Sequence, residues 1–214
     1  MTVLFAETTY NPEGGRFGLG TVEGYPVSGD VSSLFGAKDM PEHSKGHNGT
    51  DIAAAEGTPI LAPCDMLITD VFSLDIVSTV PLFQQIKKWF GHSVWATIGL
   101  ADGTGFRTMF AHMDRSPSVR EGQAVEAGTL LGYVGSTGLS TGPHLHWTLG
   151  PQSNRWLGRG PNFEVLDYCG GDTDDGVLPA AVWEGTAQEA ALLTALEDAR
   201  EAIQRAADIV AGRE

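Results

Sequence analysis

Ser136-Thr137-Gly138-Leu139-Ser140-Thr141-Gly142-Pro143-His144-Leu145-His146-Trp147 decides how the chain is read. Small, polar and turn-forming residues run into two histidines separated by one leucine. That order suits a surface loop entering a strand. In an extended segment, residues i and i+2 share a face. His144 and His146 then project side by side toward one point, while Leu145 faces a core. Two imidazoles on a rigid strand suit a metal site or a proton-transfer site. The pair alone is equally compatible with one buried, satisfied imidazole and one solvated one, so the rest of the chain must decide.

Composition narrows the architecture. Among 214 residues, 28 are Gly and 11 are Pro, and only 19% are charged. The length allows one domain with a core plus extensions. The glycine content favours short strands joined by turns over a helical bundle. A net charge of −14 argues against nucleic acid as a partner, since phosphate binding needs clustered Lys and Arg. The acidity is uneven: from Glu164 onward, 12 acids face 3 arginines. Cys64 and Cys169 are far apart and read as two buried thiols, with a single disulfide as the other arrangement. No run of 18 apolar residues occurs, so no spanning helix is expected. Met1 to Glu7 has neither a basic start nor a long apolar stretch and does not read as a secretory signal.

Moving outward from the two histidines, Val119 to Gly135 gives short strands with glycine turns. Before them, Val94–Leu100 and Phe106–Met113 read as a hairpin closed by Asp102-Gly103, a strong turn signal. His112 ends the second strand; a lone histidine there is more often structural or solvated. Pro81 to Phe90 places Leu82, Phe83, Ile86, Trp89 and Phe90 at helical spacing, a short amphipathic helix inserted between strands. Its apolar face is expected to pack on the domain, with contact to a membrane or a substrate groove as the other reading. His92, just after it, reads as a surface residue. Leu61 to Phe72 is strand-like, with apolar residues at Met66, Ile68 and Val71.

Gly46-His47-Asn48-Gly49-Thr50-Asp51 is the second stretch with chemistry. Its glycines and Asn48 make a helix improbable, and a turn entering a strand is expected. An imidazole and a carboxylate presented there can converge on one cation, and zinc accepts both ligand types. HxxxD alone is a weak signal. His43 sits upstream in a polar loop, with no role legible. Residues 1–25 read as an N-terminal arm or a pair of edge strands. Residues 166–185 read as an acidic linker and 186–212 as a C-terminal α-helix. There Leu192, Leu196, Ala199 and Ile203 lie on a heptad seam that suits self-association or docking on a partner helix, or equally packing on the chain's own domain.

Taken in order, Phe35-Gly36, Gly46-His47-Asn48-Gly49-Thr50-Asp51, Gly57-Thr58-Pro59-Ile60, Phe110-Ala111-His112-Met113 and Gly142-Pro143-His144-Leu145-His146 resemble the lysostaphin/LytM-type zinc endopeptidases of bacterial cell walls. The resemblance covers about residues 26–150, and a zinc endopeptidase domain is expected over 26–165. It implies that His47, Asp51 and His146 ligate one Zn2+ per chain, and that His112 and His144 stand beside the metal as catalytic residues. The division of roles between His112 and His144 is open. Three protein ligands leave a tetrahedral zinc one position for water, as in catalytic sites. The implied fold is mainly β, a compact antiparallel sheet or sandwich with a short inserted helix and the C-terminal helix.

The implied substrate is peptidoglycan, cut at amide bonds of stem peptides or cross-bridges. Without a legible signal or cell-wall-binding module, the expectation is a bacteriophage product. That would be an endolysin held in the host cytoplasm until lysis, or a lysin on the virion tail. The rival from another class is a non-catalytic cell-wall-binding or tail structural protein that keeps the fold and zinc. A processing protease acting on a protein is not separable by these residues. The segment from about Ser73 to Ser93 exceeds a plain hairpin connection, so the groove wall is expected to differ from that of relatives.

Overall fold

Short strands paced by glycine turns are what the composition calls for, and the computed structural model has them. It describes residues 4–38, 40–99, 105–153 and 162–170. Within these, the strands are β1 (Phe5–Asn11), β2 (Thr21–Gly24), β3 (Gly29–Ser33), β4 (Thr50–Ala53), β5 (Pro59–Leu61) and β6 (Met66–Phe72). The helix α1 (Pro81–Phe90) follows, then β7 (His92–Gly99), β8 (Gly105–Met113), β9 (Ala124–Val125), β10 (Leu130–Tyr133), β11 (His144–Pro151) and β12 (Cys169–Gly170). Single 3-10 turns lie at Pro41–His43 and Val165–Tyr168.

Ten strands form one sheet in the order β12-β1-β2-β3-β4-β11-β8-β7-β6-β9, and β10 pairs with β5 separately. All neighbours are antiparallel except β1 and β12. The mainly β, antiparallel class expected from sequence is therefore the observed one. Strands β7 and β8 form the expected hairpin; its Asp102-Gly103 turn lies outside the described residues. Of the stretch read as a linker, Leu166 and Tyr168 are buried and Cys169 pairs with Phe5 of β1. The expected C-terminal helix, with Leu192, Leu196, Ala199 and Ile203, lies outside the described residues. No helix among the described residues is long and apolar enough to cross a membrane.

The two faces of the sheet carry different cores. Leu145, Trp147 and Leu149 of β11 join Phe5, Ile52, Phe110 and Val94 in the larger cluster. Trp147 is fully buried, so its indole N–H needs a partner; it donates to Thr108 Oγ1 at 3.0 Å. On the opposite face, Phe72, Ile86, Trp95, Met109 and Ala111 form a smaller cluster beneath α1, with Leu82, Phe83 and Phe90 packed on it. The helix forms where read because Pro81 sits at its first turn with a preset φ and Lys87 and Lys88 lie at its negative end. Its apolar face packs on the domain, while Trp89 stays half-exposed.

Met66, Ile68 and Val71 all meet the larger core, at a spacing that an uninterrupted strand does not allow. The register of β6 against β7 shifts between Ile68 and Asp70, a bulge that resets the alternation. Cys64 and Cys169 are both free thiols.

Candidate metal centre and active site

The site lies where β4, β11 and β8 run side by side at the middle of the sheet. His146 is in register with Asp51 of β4 on one side and with Ala111 of β8 on the other. Leu145 and Trp147 face the larger core, so alternation turns His144 and His146 to the other face. The turn before β4 brings in His47. Gly49 makes this approach possible, because a Cβ there would meet Trp147 O at 2.6 Å and His146 Cε1 at 2.9 Å.

Three ligand-type atoms converge. His146 Nδ1 is 2.8 Å from Asp51 Oδ1 and 3.0 Å from His47 Nε2, and His47 Nε2 is 3.2 Å from Asp51 Oδ1. All three residues are buried. On its other side, His47 Nδ1 lies 3.2 Å from Leu34 O and 3.0 Å from Ser33 Oγ. A carbonyl only accepts, so Nδ1 carries the proton and Nε2 presents its lone pair inward. One hydrogen, on His146 Nδ1, can serve Asp51; the His47 lone pair then faces acceptors with no proton to share. Buried lone pairs in such a triangle call for a cation. Tetrahedral ligand atoms at zinc distances lie about 3.3 Å apart, close to this triangle. The two-imidazole, one-carboxylate set fits zinc.

The electrostatics agree. Burial would raise the Asp51 carboxyl, but the hydrogen bond from His146 and the electrostatic pull of the two imidazoles beside it hold it well below the usual carboxylate range. Burial pushes the His146 imidazole down to about 4 despite Asp51 beside it. At neutral pH Asp51 is therefore an ionised carboxylate and His146 a neutral imidazole, the forms that bind a metal.

His112 and His144 stand beside this triangle, with ring centroids 4.7 Å apart and His112 5.7 Å from His146. Each commits Nδ1–H to a backbone carbonyl: His112 to Thr137 O at 2.7 Å, His144 to Gly142 O at 2.8 Å. Each therefore keeps a lone pair on Nε2, and that of His144 is 3.6 Å from Asp51 Oδ1. Burial, with the charge of His144 and His146, lowers His112 to about 3. Alternation alone would turn His112 away from the site, since Ala111 already faces it. The backbone of His112 has φ 61°, the one positive φ at a non-glycine among the described residues. The β7–β8 register also shifts between Val94↔Phe110 and His92↔Met113. This bulge re-aims the imidazole, at a strain of about 1–3 kcal/mol.

Other residues contribute that sequence reasoning did not assign. The His43 ring stacks on His47, with centroids 4.0 Å apart, and His43, His47 and Asp51 each bring a ligand atom within 4.8 Å of the others. The His47–Asp51–His146 triangle is tighter, with every distance at or below 3.2 Å. Thr137 holds the His112 side of the site: its hydroxyl donates to Met113 O at 2.6 Å and accepts from His92 N–H at 3.1 Å. His92, expected at the surface, is buried; its Nδ1 accepts from Leu74 N–H at 3.2 Å. The inserted helix also reaches the site, with the Phe90 ring stacked 5.9 Å from His146. The only signal available for these was the position of His43 four residues before His47.

The model of peptidase family M23 matches residues 45–156, just over half of the chain. The chain belongs to peptidase family M23. Over 119 residues it is 37% identical to the DD-carboxypeptidase/endopeptidase Mpg of Neisseria meningitidis serogroup B, covering 55% of this chain and 23% of that protein. It is 28% identical over 130 residues to the peptidoglycan DD-endopeptidase ShyA of Vibrio cholerae, covering 58% of this chain and 26% of that one. The chain thus spans about a quarter of the length of these curated relatives. The catalytic domain of lysostaphin from Staphylococcus simulans superimposes with a TM-score of 0.50 at 23% identity, over 65% of this chain and 90% of that domain, which shows the shared fold.

Proposed function

We propose that this M23 peptidase is a zinc-dependent endopeptidase that hydrolyses amide bonds in peptidoglycan stem peptides or cross-bridges. The observation that carries the reading is the triangle of His47 Nε2, Asp51 Oδ1 and His146 Nδ1 with two further imidazoles beside it. Among its relatives, ShyA is named a peptidoglycan endopeptidase, and the site chemistry here suits the same class of bond.

His47, Asp51 and His146 would hold one zinc, which supplies a Lewis acid and lowers the pKa of a bound water. The chain's own residues do the rest. The tautomers of His112 and His144 are fixed by Thr137 O and Gly142 O, so each offers Nε2 to the substrate side. A neutral imidazole there takes a proton from the attacking water; once protonated, it donates to the leaving amine or to a developing oxyanion. Burial keeps His112 neutral at neutral pH, so its Nε2 lone pair is unprotonated. Phe90 stacks on His146, and the loop Ser136–Gly142 holds His112 and His144 through Thr137 O and Gly142 O, so both help exclude bulk water.

Purified cell walls incubated with the zinc-loaded chain should release new amino termini, identified by mass spectrometry. A zinc-bound chain that releases none from any wall chemotype would overturn the enzyme reading in favour of a binding or structural protein. The assignment to a bacteriophage lysin rests on the sequence reading; recovery of the chain from purified virions would support the tail version, and recovery from lysates alone would overturn it.

A further inference from the structure

Asn162 to Cys169 lies beyond the residues matched to the family, yet it holds the turn that carries His47 and Asp51. Asn162 Nδ2 donates to Asn48 O at 2.6 Å. Glu164 Oε2 accepts from Phe35 N–H at 3.0 Å, and Oε1 accepts from Leu166 N–H at 3.3 Å and from the hydroxyl of the fully buried Thr50. The contacts to Phe35 and Thr50 span more than a hundred residues of sequence. Thr50 immediately precedes Asp51.

The Phe35 N–H and the Leu34 carbonyl are the two ends of one peptide unit. That carbonyl accepts the Nδ1–H of His47. A continuous line therefore runs from the Glu164 carboxylate through the Leu34–Phe35 peptide to the His47 imidazole, whose Nε2 belongs to the triangle. A carboxylate that accepts from a peptide N–H polarises the peptide and places more negative charge on its carbonyl oxygen. The richer carbonyl holds the Nδ1 proton more firmly and makes Nε2 a stronger donor, as partners of metal-bound histidines do. Ser33 Oγ, also near Nδ1, is a neutral group and supplies no such charge.

We propose that Glu164 is a positioning residue of the metal centre, acting through the Leu34–Phe35 peptide to fix the tautomer of His47 and strengthen its Nε2 as a ligand. A fold-only role fits less well. The Oε2 bond goes to the peptide whose other end holds the His47 ring, a link that merely tying two loops together does not require. The inference rests on the reading of His47 as a ligand.

The test compares the whole chain with its E164Q and T50V variants, by zinc competition against a chromogenic chelator and by 15N NMR of the His47 ring in metal-free protein. The E164Q side chain keeps the size and one acceptor but loses the charge. The expected result for E164Q is a fall in zinc affinity of about tenfold or more, with the His47 nitrogens shifting toward a mixed tautomer. T50V, which removes one donor and leaves the carboxylate, should move both readouts in the same direction by less. A folded E164Q with the parent's affinity and the parent's His47 shifts would overturn the proposal. If E164Q does not fold, a folded T50V with parental values in both readouts overturns it instead. A parent chain that binds no zinc overturns the metal reading; the His47 shifts in metal-free protein then still decide whether Glu164 acts on that ring.

Discussion

His146 on β11 and His112 on β8 sit a few ångströms apart, and the backbone delivers them in opposite ways. On β11 the strand is regular, with partners on both sides, and plain alternation puts two imidazoles on the site face. On β8 the strand breaks its period, and a left-handed φ turns His112 out of the row it would otherwise occupy. The candidate ligand His146 and one proton-handling candidate, His144, come from the relaxed strand, and the other proton-handling candidate, His112, from the strained one. A metal ligand needs to stay put, and a regular ladder provides that. His144 reaches the site by the same alternation, whereas on β8 only a bulge lets one strand supply Ala111 and His112 to the same side.

The largest effects should come from removing the imidazoles themselves. H146A is expected to lose zinc and all hydrolysis. H144A and H112A should keep zinc at one per chain and lose turnover by about 10²-fold or more. Metal content by atomic emission beside wall digestion checks this; equal metal retention in H146A and H144A would erase the distinction between ligand and neighbour.

Acid should act next, and it tests the burial of the pair. The ordinary histidine pKa near 6.5 applies to the unfolded chain, whereas burial holds folded His112 near 3. Below pH 6.5 the unfolded state therefore binds more protons than the folded one, and stability falls as pH falls. Between pH 7.5 and pH 5, His112 alone should cost the metal-free chain about 2 kcal/mol. Burial lowers His146 in the same direction. Urea midpoints at the two pH values read the change, and H112A should show less of it than the parent.

The smallest effect is the sharpest for the backbone. Glycine relieves a left-handed residue but weakens a regular strand. H112G should be more stable than H112A by about 1 kcal/mol. H144G should be less stable than H144A by about 0.5–1 kcal/mol. Denaturant unfolding of the four proteins measures both differences, and the same sign at both positions would mean that β8 is not strained at His112.

The same contrast governs what the sequence revealed. Alternation around Leu145 was legible from a dozen residues because a regular strand writes its facing into its period. The turn from Gly46 to Asp51 was legible because its glycines exclude a helix. His112 was placed through the resemblance and not by its pattern, since a bulge obeys long-range packing that leaves no local period. The same holds for Val71, whose odd spacing from Ile68 is a bulge. Thr137 and Glu164 meet residues outside their own segments: Glu164 sits just before an acidic stretch in the sequence and against Phe35 and Thr50 in space. His92 reads as a polar residue after a helix, yet it is covered by the 73–93 segment and the loop at Thr137.

That loop and the inserted helix meet through two glycines. A Cβ on Gly91 would lie 2.2 Å from Thr137 Oγ1, and one on Gly138 would lie 2.5 Å from Gly91 N. Leu139 N–H then donates to Trp89 O at 3.0 Å. The helix is thus not a free ornament that descent or an engineer could trade by itself. The smallest interchangeable module runs from Ser73 to Ser93 together with Ser136 to Gly142, because a graft of either piece alone would bring a side chain into the other's backbone.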